Sequence, residues 1–277
     1  MTATTAQSAA AVPDGNLPVL SAVNVVKQFK VAGGHITAVD DVSVDFHAGK
    51  VLAVVGESGS GKSTLARMLL RLMPVTSGTI KYLGKDVTHI RGAELRAYWR
   101  DVQAVFQDPF ASFNQFYTVG AMLRRRMPAK QGDETLDELI ERCLSYVGLK
   151  PADAVNKHPH QLSGGQRQRV MIARALMMNP KVLLADEATS MLDASLRVSA
   201  LNVLQDLRDR LGLTVLFITH DIGQACYLAD EVIVMENGLI VERGITDDVI
   251  FNPQNAYTKR LLADVPDLKG SLKTRQS

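Results

Sequence analysis

The stretch VLAVVGESGSGKSTLARMLLRLM, residues 51–73, leaves few folds open to this chain. VLAVV is apolar without alternation, as in a strand buried on both faces of a parallel sheet. LARMLLRLM reads as a helix. Between them GESGSGKST (Gly56–Thr64) fits G-x-x-x-x-G-K-[ST] on Gly56, Gly61, Lys62 and Ser63. Glycines let backbone N–H groups wrap phosphate oxygens at a helix N-terminus, where the helix dipole also favours negative charge. Ser58, Gly59, Ser60 and Thr64 belong to the same cradle. Lys62 is expected to reach the terminal phosphates and Ser63 to hold Mg²⁺. A merely tight strand-to-helix turn is the alternative, and the strand–loop–helix setting disfavours it.

VLLADEATS (182–190) supplies the complement. An apolar strand delivers Asp186 at its end, where a carboxylate can hold the shell of Mg²⁺, and Glu187 stands ready to deprotonate a water. On its own such a pair more often caps the next helix; behind a phosphate loop the catalytic reading leads. Gln107 in VFQDPFASFN follows another short apolar run and carries both a donor and an acceptor, fit to touch Mg²⁺ or the water; taken alone it reads as a surface residue. His220 ends TVLFITH, and a histidine at a strand's C-terminal end can reach a γ-phosphate; taken alone it reads as a loop histidine. Phe29 in NVVKQFKV is either a ring stacked on adenine or a core residue.

A second glycine-rich segment, LSGGQRQRVMIARAL, spans Leu162 to Leu176. It reads as a bare turn, Ser163-Gly164-Gly165, feeding a helix with Val170, Ala173 and Met177 on one face. That is an anion site without a lysine. Ser163 and Gln166 have capping-box spacing, which offers a local reading of Ser163 as the cap of its own helix; that leaves two glycines without a purpose. A phosphate brought from outside the chain accounts for Ser163, Gly164, Gly165 and Gln166 together.

VLLA and TVLFIT repeat the fully apolar pattern, and Asn237-Gly238 in EVIVMENGLIVERG signals a hairpin. The segment 19–50 reads as strands and turns, and 108–178 as a helical insertion between two parts of an α/β core. Lys+Arg 31 against Asp+Glu 29 gives no electrostatic case for nucleic acid. Cys143 and Cys226 stand far apart, without metal spacing, in keeping with a reducing compartment. No apolar run reaches the ~18–20 residues of a membrane span. Residues 1–18 are expected to be a disordered lead-in and 266–277 a solvated tail.

Taken in order, these motifs resemble the ATP-binding subunit of an ATP-binding cassette (ABC) transporter over about 20–265. LSGGQ resembles the ABC signature, Gln107 the Q-loop, His220 the switch histidine, SMLD (Ser190–Asp193) the D-loop, and Phe29 the aromatic A-loop. Within that family, AVDDVSVDF, FQDPFASFN, HPHQLSGGQRQRVMIARAL and NPQNAYTKRLLADVP look like the peptide/opine/nickel uptake group of bacterial importers. The resemblance implies an α/β P-loop NTPase core with a mainly parallel sheet, an N-terminal antiparallel β subdomain and a helical subdomain at about 108–178.

It further implies ATP and Mg²⁺ as cofactors and a catalytic set of Glu187, His220 and Gln107. Mg²⁺ would be held through Ser63, Gln107 and Asp186. Two ATPase subunits, identical or paralogous, would close head to tail, each nucleotide lying between one phosphate loop and the other subunit's Ser163–Gln166 and Asp193. Two membrane permease subunits would dock near the Q-loop, with an extracytoplasmic solute-binding protein acting indirectly, which puts the chain at the cytoplasmic face of the inner membrane. Gln115, Ala188, Met191 and the NAYT run depart from the group's usual residues without removing a phosphate, Mg²⁺ or base residue. DEATSMLD and THDIGQACYLADEV resemble members associated with oligosaccharides, so peptide and sugar both remain open. No iron–sulfur cluster is implied, since the four-cysteine run of some relatives is missing. Soluble ABC ATPases of DNA repair or translation carry paired cassettes, zinc motifs or coiled coils that this chain does not show; a kinase or switch GTPase is opposed by LSGGQ.

Overall fold

The computed structural model describes residues 17–107, 113–125 and 134–264. The expected lead-in through residue 16, the whole of the expected tail 266–277, and the parts 108–112 and 126–133 of the expected helical insertion lie outside the described residues. In chain order the elements are β1 (Leu20–Val31), β2 (Gly34–Phe46), β3 (Val51–Val55), α1 (Lys62–Leu69), β4 (Ser77–Tyr82), β5 (Lys85–Asp86), α2 (Gly92–Asp101) and β6 (Val102–Phe106). Then come α3 (Val119–Arg124), α4 (Leu136–Tyr146), α5 (Pro151–Ala154), a 3-10 turn (Pro159–Gln161), α6 (Gly164–Leu176), β7 (Val182–Asp186), α7 (Ala194–Leu211), β8 (Thr214–Thr219), α8 (Ile222–Leu228), β9 (Glu231–Glu236), β10 (Leu239–Ile245), α9 (Thr246–Phe251) and α10 (Ala256–Ala263).

The three wholly apolar runs become β3, β7 and β8, adjacent central strands of one sheet ordered β10-β9-β3-β8-β7-β6. Every pairing in it is parallel except β9 with β10, where Asn237 (φ 51°) and Gly238 (φ 83°) form the hairpin. Positive φ at both central residues is what a two-residue hairpin turn of matching twist demands. A second, antiparallel sheet, β2-β1-β4-β5, comes from the N-terminal part. Its long β1–β2 hairpin turns at Gly33 (φ 94°).

Strand alternation splits the interior into two cores. Val51, Ala53, Val55, Leu183, Ala185, Val215 and Phe217 face the helical side with α4, α6, α7 and α8. Leu52, Val54, Leu184, Leu216 and Ile218 face α1 and the antiparallel sheet. Phe217 is fully buried, and truncating such a ring to alanine costs about 3–5 kcal/mol. With both faces covered, the free edge of the parallel strands is their C-terminal end, where ligands collect in open α/β sheets.

The helices α3 to α6 fall between β6 and β7 in sequence, within the stretch expected to be helical. α4 begins with a full capping box, Thr135 with Glu138, which satisfies two of the amides that a helix start leaves open. Cys143 on its buried face is pushed up to about 11 by burial, which leaves a protonated thiol in the core.

Candidate functional site

The phosphate loop is built by close approach. Gly56 has φ 153°, and a Cβ there would come within 2.2 Å of the Met235 carbonyl oxygen on β9. Gly61 has φ 104° and would put a Cβ 2.4 Å from the Ala38 carbonyl on β2. Gly59, φ 85°, has open space around it. The hairpin turn backs the loop, with Gly238 N donating to the Ser60 carbonyl (3.0 Å) and Asp40 N to the Gly238 carbonyl (2.9 Å). Ser60 is buried, whereas Ser58 and Gly59 are exposed at the crest and Thr64 is half-buried on α1.

The parallel registers bring the remaining motif residues to one edge. Val55 pairs with Thr219, Asp186 with Ile218, and Phe106 with Asp186. Gly56 and His220 therefore stand level where β3 and β8 end, and Glu187 and Gln107 stand level with Thr219, one residue short of them, so all four gather at the C-terminal end of the parallel strands. Gln107 and His220 are exposed.

Lys62 is 4 % exposed and reaches back over the loop. Its Nζ donates to the Gly56 carbonyl (2.7 Å), the Glu57 carbonyl (2.7 Å) and Ser60 Oγ (3.2 Å). Burial pulls its pKa down, against the opposing pull of Glu187, Asp186 and Glu57. Ser63 Oγ donates to Asp186 Oδ1 at 3.1 Å. Burial raises the Asp186 pKa, and the Ser63 hydrogen bond and the positive charges of Arg67 and Lys62 do not cancel that rise. A buried carboxylate whose charge is under-compensated, beside a hydroxyl oxygen, is a hard-oxygen donor pair of the kind Mg²⁺ accepts.

Glu187 occupies the left-handed region at φ 48° and is not a glycine, which stores strain of about 1–3 kcal/mol. The surroundings hold it there: its N–H donates to the Ile218 carbonyl (2.9 Å), and its own carbonyl accepts from Ser190 Oγ (2.9 Å) and Ser190 N (3.1 Å). Its Oε1 lies 3.5 Å from His220 Nδ1. Next along the chain, Asp193 is exposed and precedes α7 without a side-chain cap bond, its carbonyl accepting from Leu196 N and Arg197 N. Met191, between them, is 58 % exposed.

In the second glycine-rich segment the structure corrects the expected bare turn: Gly164 and Gly165 already form the first turn of α6, with Ser163 as its N-cap. The capping box is complete, Gln166 N donating to Ser163 Oγ (3.2 Å) and Ser163 N to Gln166 Oε1 (3.0 Å). Gly164 and Gly165 have ordinary helical φ, and a Cβ on either would meet Leu192 or Leu196 only at 3.4–3.5 Å. Neither glycine is required by the backbone or by packing. The Ser163 hydroxyl accepts its cap bond with a lone pair, so its proton is free to donate outward. Phe29 is 37 % exposed with the Lys27 ammonium 5.3 Å from its ring centre, so the core reading of that residue fails.

Two supports were not read from the sequence. Tyr257 OH, on α10, accepts the Glu57 N–H at 2.8 Å. Thr189 and Gln224 hydrogen-bond beneath the Glu187 strand end, with Gln224 N and Nε2 donating to Asp221, the N-cap of α8. Partners 200 and 35 residues apart leave no local signal; only the Asp221-to-Gln224 cap spacing was visible.

Residues 39–190 match the family model described as ABC transporter. The chain is 41% identical over 271 residues to the dipeptide transport ATP-binding protein DppF of Haemophilus influenzae, covering 93% of this chain and 81% of that one. It is 37% identical over 268 residues to the oligopeptide transport ATP-binding protein OppF of Escherichia coli, covering 92% and 80%. Among solved structures it resembles a dimeric ATP-binding cassette in a post-hydrolysis state bound to ADP and Pi, with 30% identity, a TM-score of 0.71, and coverage of 82% of this chain and 98% of that one. With the phosphate loop, the Asp186–Glu187 strand end and the Ser163 helix cap in one fold, the chain belongs to the ABC transporter family as an ATP-hydrolysing subunit.

Proposed function

We propose that this chain powers the import of short peptides through a bacterial ABC importer. It works as one of two ATPase subunits that close head to tail, bound peripherally to two permease subunits at the cytoplasmic face of the inner membrane. The relatives' names, dipeptide and oligopeptide transport ATP-binding proteins, favour peptides over sugars, opines or nickel. Among the described residues no helix is long and apolar enough to cross a membrane, which suits a subunit that docks on others. A solute-binding protein outside the membrane delivers the cargo.

In this reading Gly56 to Thr64 hold the phosphates of ATP, with Phe29 against the adenine. Lys62 exchanges its three loop acceptors for phosphate oxygens. Ser63 and Asp186, with Gln107, hold Mg²⁺, which when bound neutralises charge on the phosphate oxygens. Glu187 takes the proton of the attacking water, and His220, beside it, orients the γ-phosphate. Ser163, Gly164, Gly165 and Gln166, with Asp193, face the nucleotide of the other subunit.

The observation that carries the two-subunit reading is the pair of glycines that this chain's own packing does not need. Binding of ATP drives closure because the closed pair holds nucleotide on both sides and the open pair on one. The test is ATPase activity of the full assembly, co-expressed with its permease subunits and supplied with loaded binding protein. Stimulation by di- to pentapeptides and not by oligosaccharides supports the cargo; the reverse pattern would replace it.

A further inference from the structure

One peptide unit of the phosphate loop is tethered on both sides. The carbonyl of Gly56 accepts from Lys62 Nζ at 2.7 Å, and the N–H of Glu57, in the same unit, donates to Tyr257 OH at 2.8 Å. The described residues contain no cis peptide, so the two groups are coplanar and point in opposite directions. Orienting one therefore orients the other. Gly56 has no Cβ and is free to rotate at its own Cα, which leaves the plane to be held from outside.

The helix that supplies the outer tether is itself anchored. Asn255 Oδ1 caps α10 by accepting from Tyr257 N at 2.8 Å. Glu242 on β10 accepts from Gln254 N (2.7 Å) and Asn255 N (3.1 Å), and Arg260 pairs with Glu236 at the end of β9 (3.3 Å). The Met235 carbonyl that crowds Gly56 precedes Glu236 directly. One strand pair thus fixes both the back of the loop and the base of α10. The Tyr257 ring is 4 % exposed, and burial raises the pKa of its phenol, so it remains a neutral acceptor.

We infer that Tyr257 is a positioning residue for the phosphate loop, and that α10 is a strut that sets the loop's affinity for ATP. The inference rests on the reading of 56–64 as the ATP site. Holding the 56–57 plane pre-organises the amides and Lys62 before nucleotide arrives, so less ordering is left for the binding step. Tyr257 lies on the outer side of the loop and makes no contact specific to the transition state, so its effect falls on binding and not on turnover.

The experiment compares Tyr257→Phe with parent as full-length chain, reading the Kd of a non-hydrolysable ATP analogue, KM and kcat of hydrolysis, and Tm. Phenylalanine keeps the ring and removes only the hydroxyl. The expected result is a rise of about 3–10-fold in Kd and KM, as for loss of one hydrogen bond, with kcat within about twofold. In a Lys62→Ala background the same change adds less than about twofold, since the plane then has no inner partner to orient. Parental Kd and KM for Tyr257→Phe overturn the inference, as does a fall in Tm and kcat at unchanged KM, which marks a packing role. Lys62→Ala alone is the control: if it binds nucleotide like the parent, the ATP-site reading fails; if it loses binding while Tyr257→Phe does not, only the strut fails.

Discussion

His220 Nδ1 and Glu187 Oε1 stand 3.5 Å apart on neighbouring strand ends, and Glu187 is held there at φ 48° by bonds to Ile218 and Ser190. These backbone bonds do not depend on the Glu187 side-chain charge. Glu187→Gln therefore keeps the fold and ATP affinity within about twofold, while hydrolysis falls by about 10²–10⁴-fold, the range for loss of a general base. Steady-state phosphate release beside equilibrium nucleotide binding checks it. Parental turnover would move the base elsewhere.

Asp186 carries a buried charge that Ser63, Arg67 and Lys62 do not fully compensate. A carboxylate whose folded pKa is raised destabilises the fold once pH exceeds its unfolded value, because the folded state then carries a charge it disfavours. Asp186→Asn removes the charge and leaves Ser63 an oxygen to donate to. We predict a Tm some degrees above parent without nucleotide, together with loss of Mg²⁺-dependent stabilisation by ATP. Thermal melts with and without Mg·ATP read both signs at once.

Glu242 acts in the opposite direction with pH. Burial pushes its pKa up, but the Gln254 and Asn255 amides, with Thr258 and Lys259, outweigh that and hold it below the ordinary glutamate value. Its contribution is complete above the ordinary value and is lost as pH falls through the lower folded one. The protection factors of the α10 amides, taken relative to the intrinsic exchange rate at each pH, should therefore drop on acidification in that window ahead of those of α1. Glu242→Gln should abolish the pH dependence of α10 protection.

Gly61 and Gly59 both have positive φ, yet differ in what surrounds them. Gly61→Ala meets the Ala38 carbonyl at 2.4 Å, so backbone must move; Gly59→Ala meets nothing within 4 Å. We expect Gly59→Ala to cost only the left-handed strain, about 1–2 kcal/mol, and Gly61→Ala clearly more. Chemical denaturation of the two variants ranks them.

Much of this site could be read from local sequence because local chemistry determines it. VLAVV, VLLA and TVLFIT are strands for the reason that they are apolar throughout, and parallel register then carries Gly56, Glu187, Gln107 and His220 to one edge without further instruction. Asn237-Gly238 had to be a turn because few other pairs tolerate positive φ twice. The capping spacing of Ser163 and Gln166 was visible, but not that it draws both glycines into α6. Illegible were the contacts between distant segments: Tyr257 on Glu57, Gly238 on Ser60, Ser63 on Asp186. Phe29 stayed ambiguous because one aromatic in a strand carries no sign of which side is covered; the structure leaves it partly exposed.

We propose that Ser163 does more than cap α6 and meets a phosphate held by another subunit. Asp and Ser cap helices about equally well, so Ser163→Asp preserves the helix start while placing a negative charge where that phosphate must come. The decisive measurement is nucleotide affinity and ATP hydrolysis of Ser163→Asp in the complete two-ATPase assembly. We predict affinity within about twofold of parent and hydrolysis lower by about 10²-fold or more, the cost of losing a donor to a reacting phosphate. Parental hydrolysis with an intact helix would reduce Ser163 to a cap and contradict the shared site.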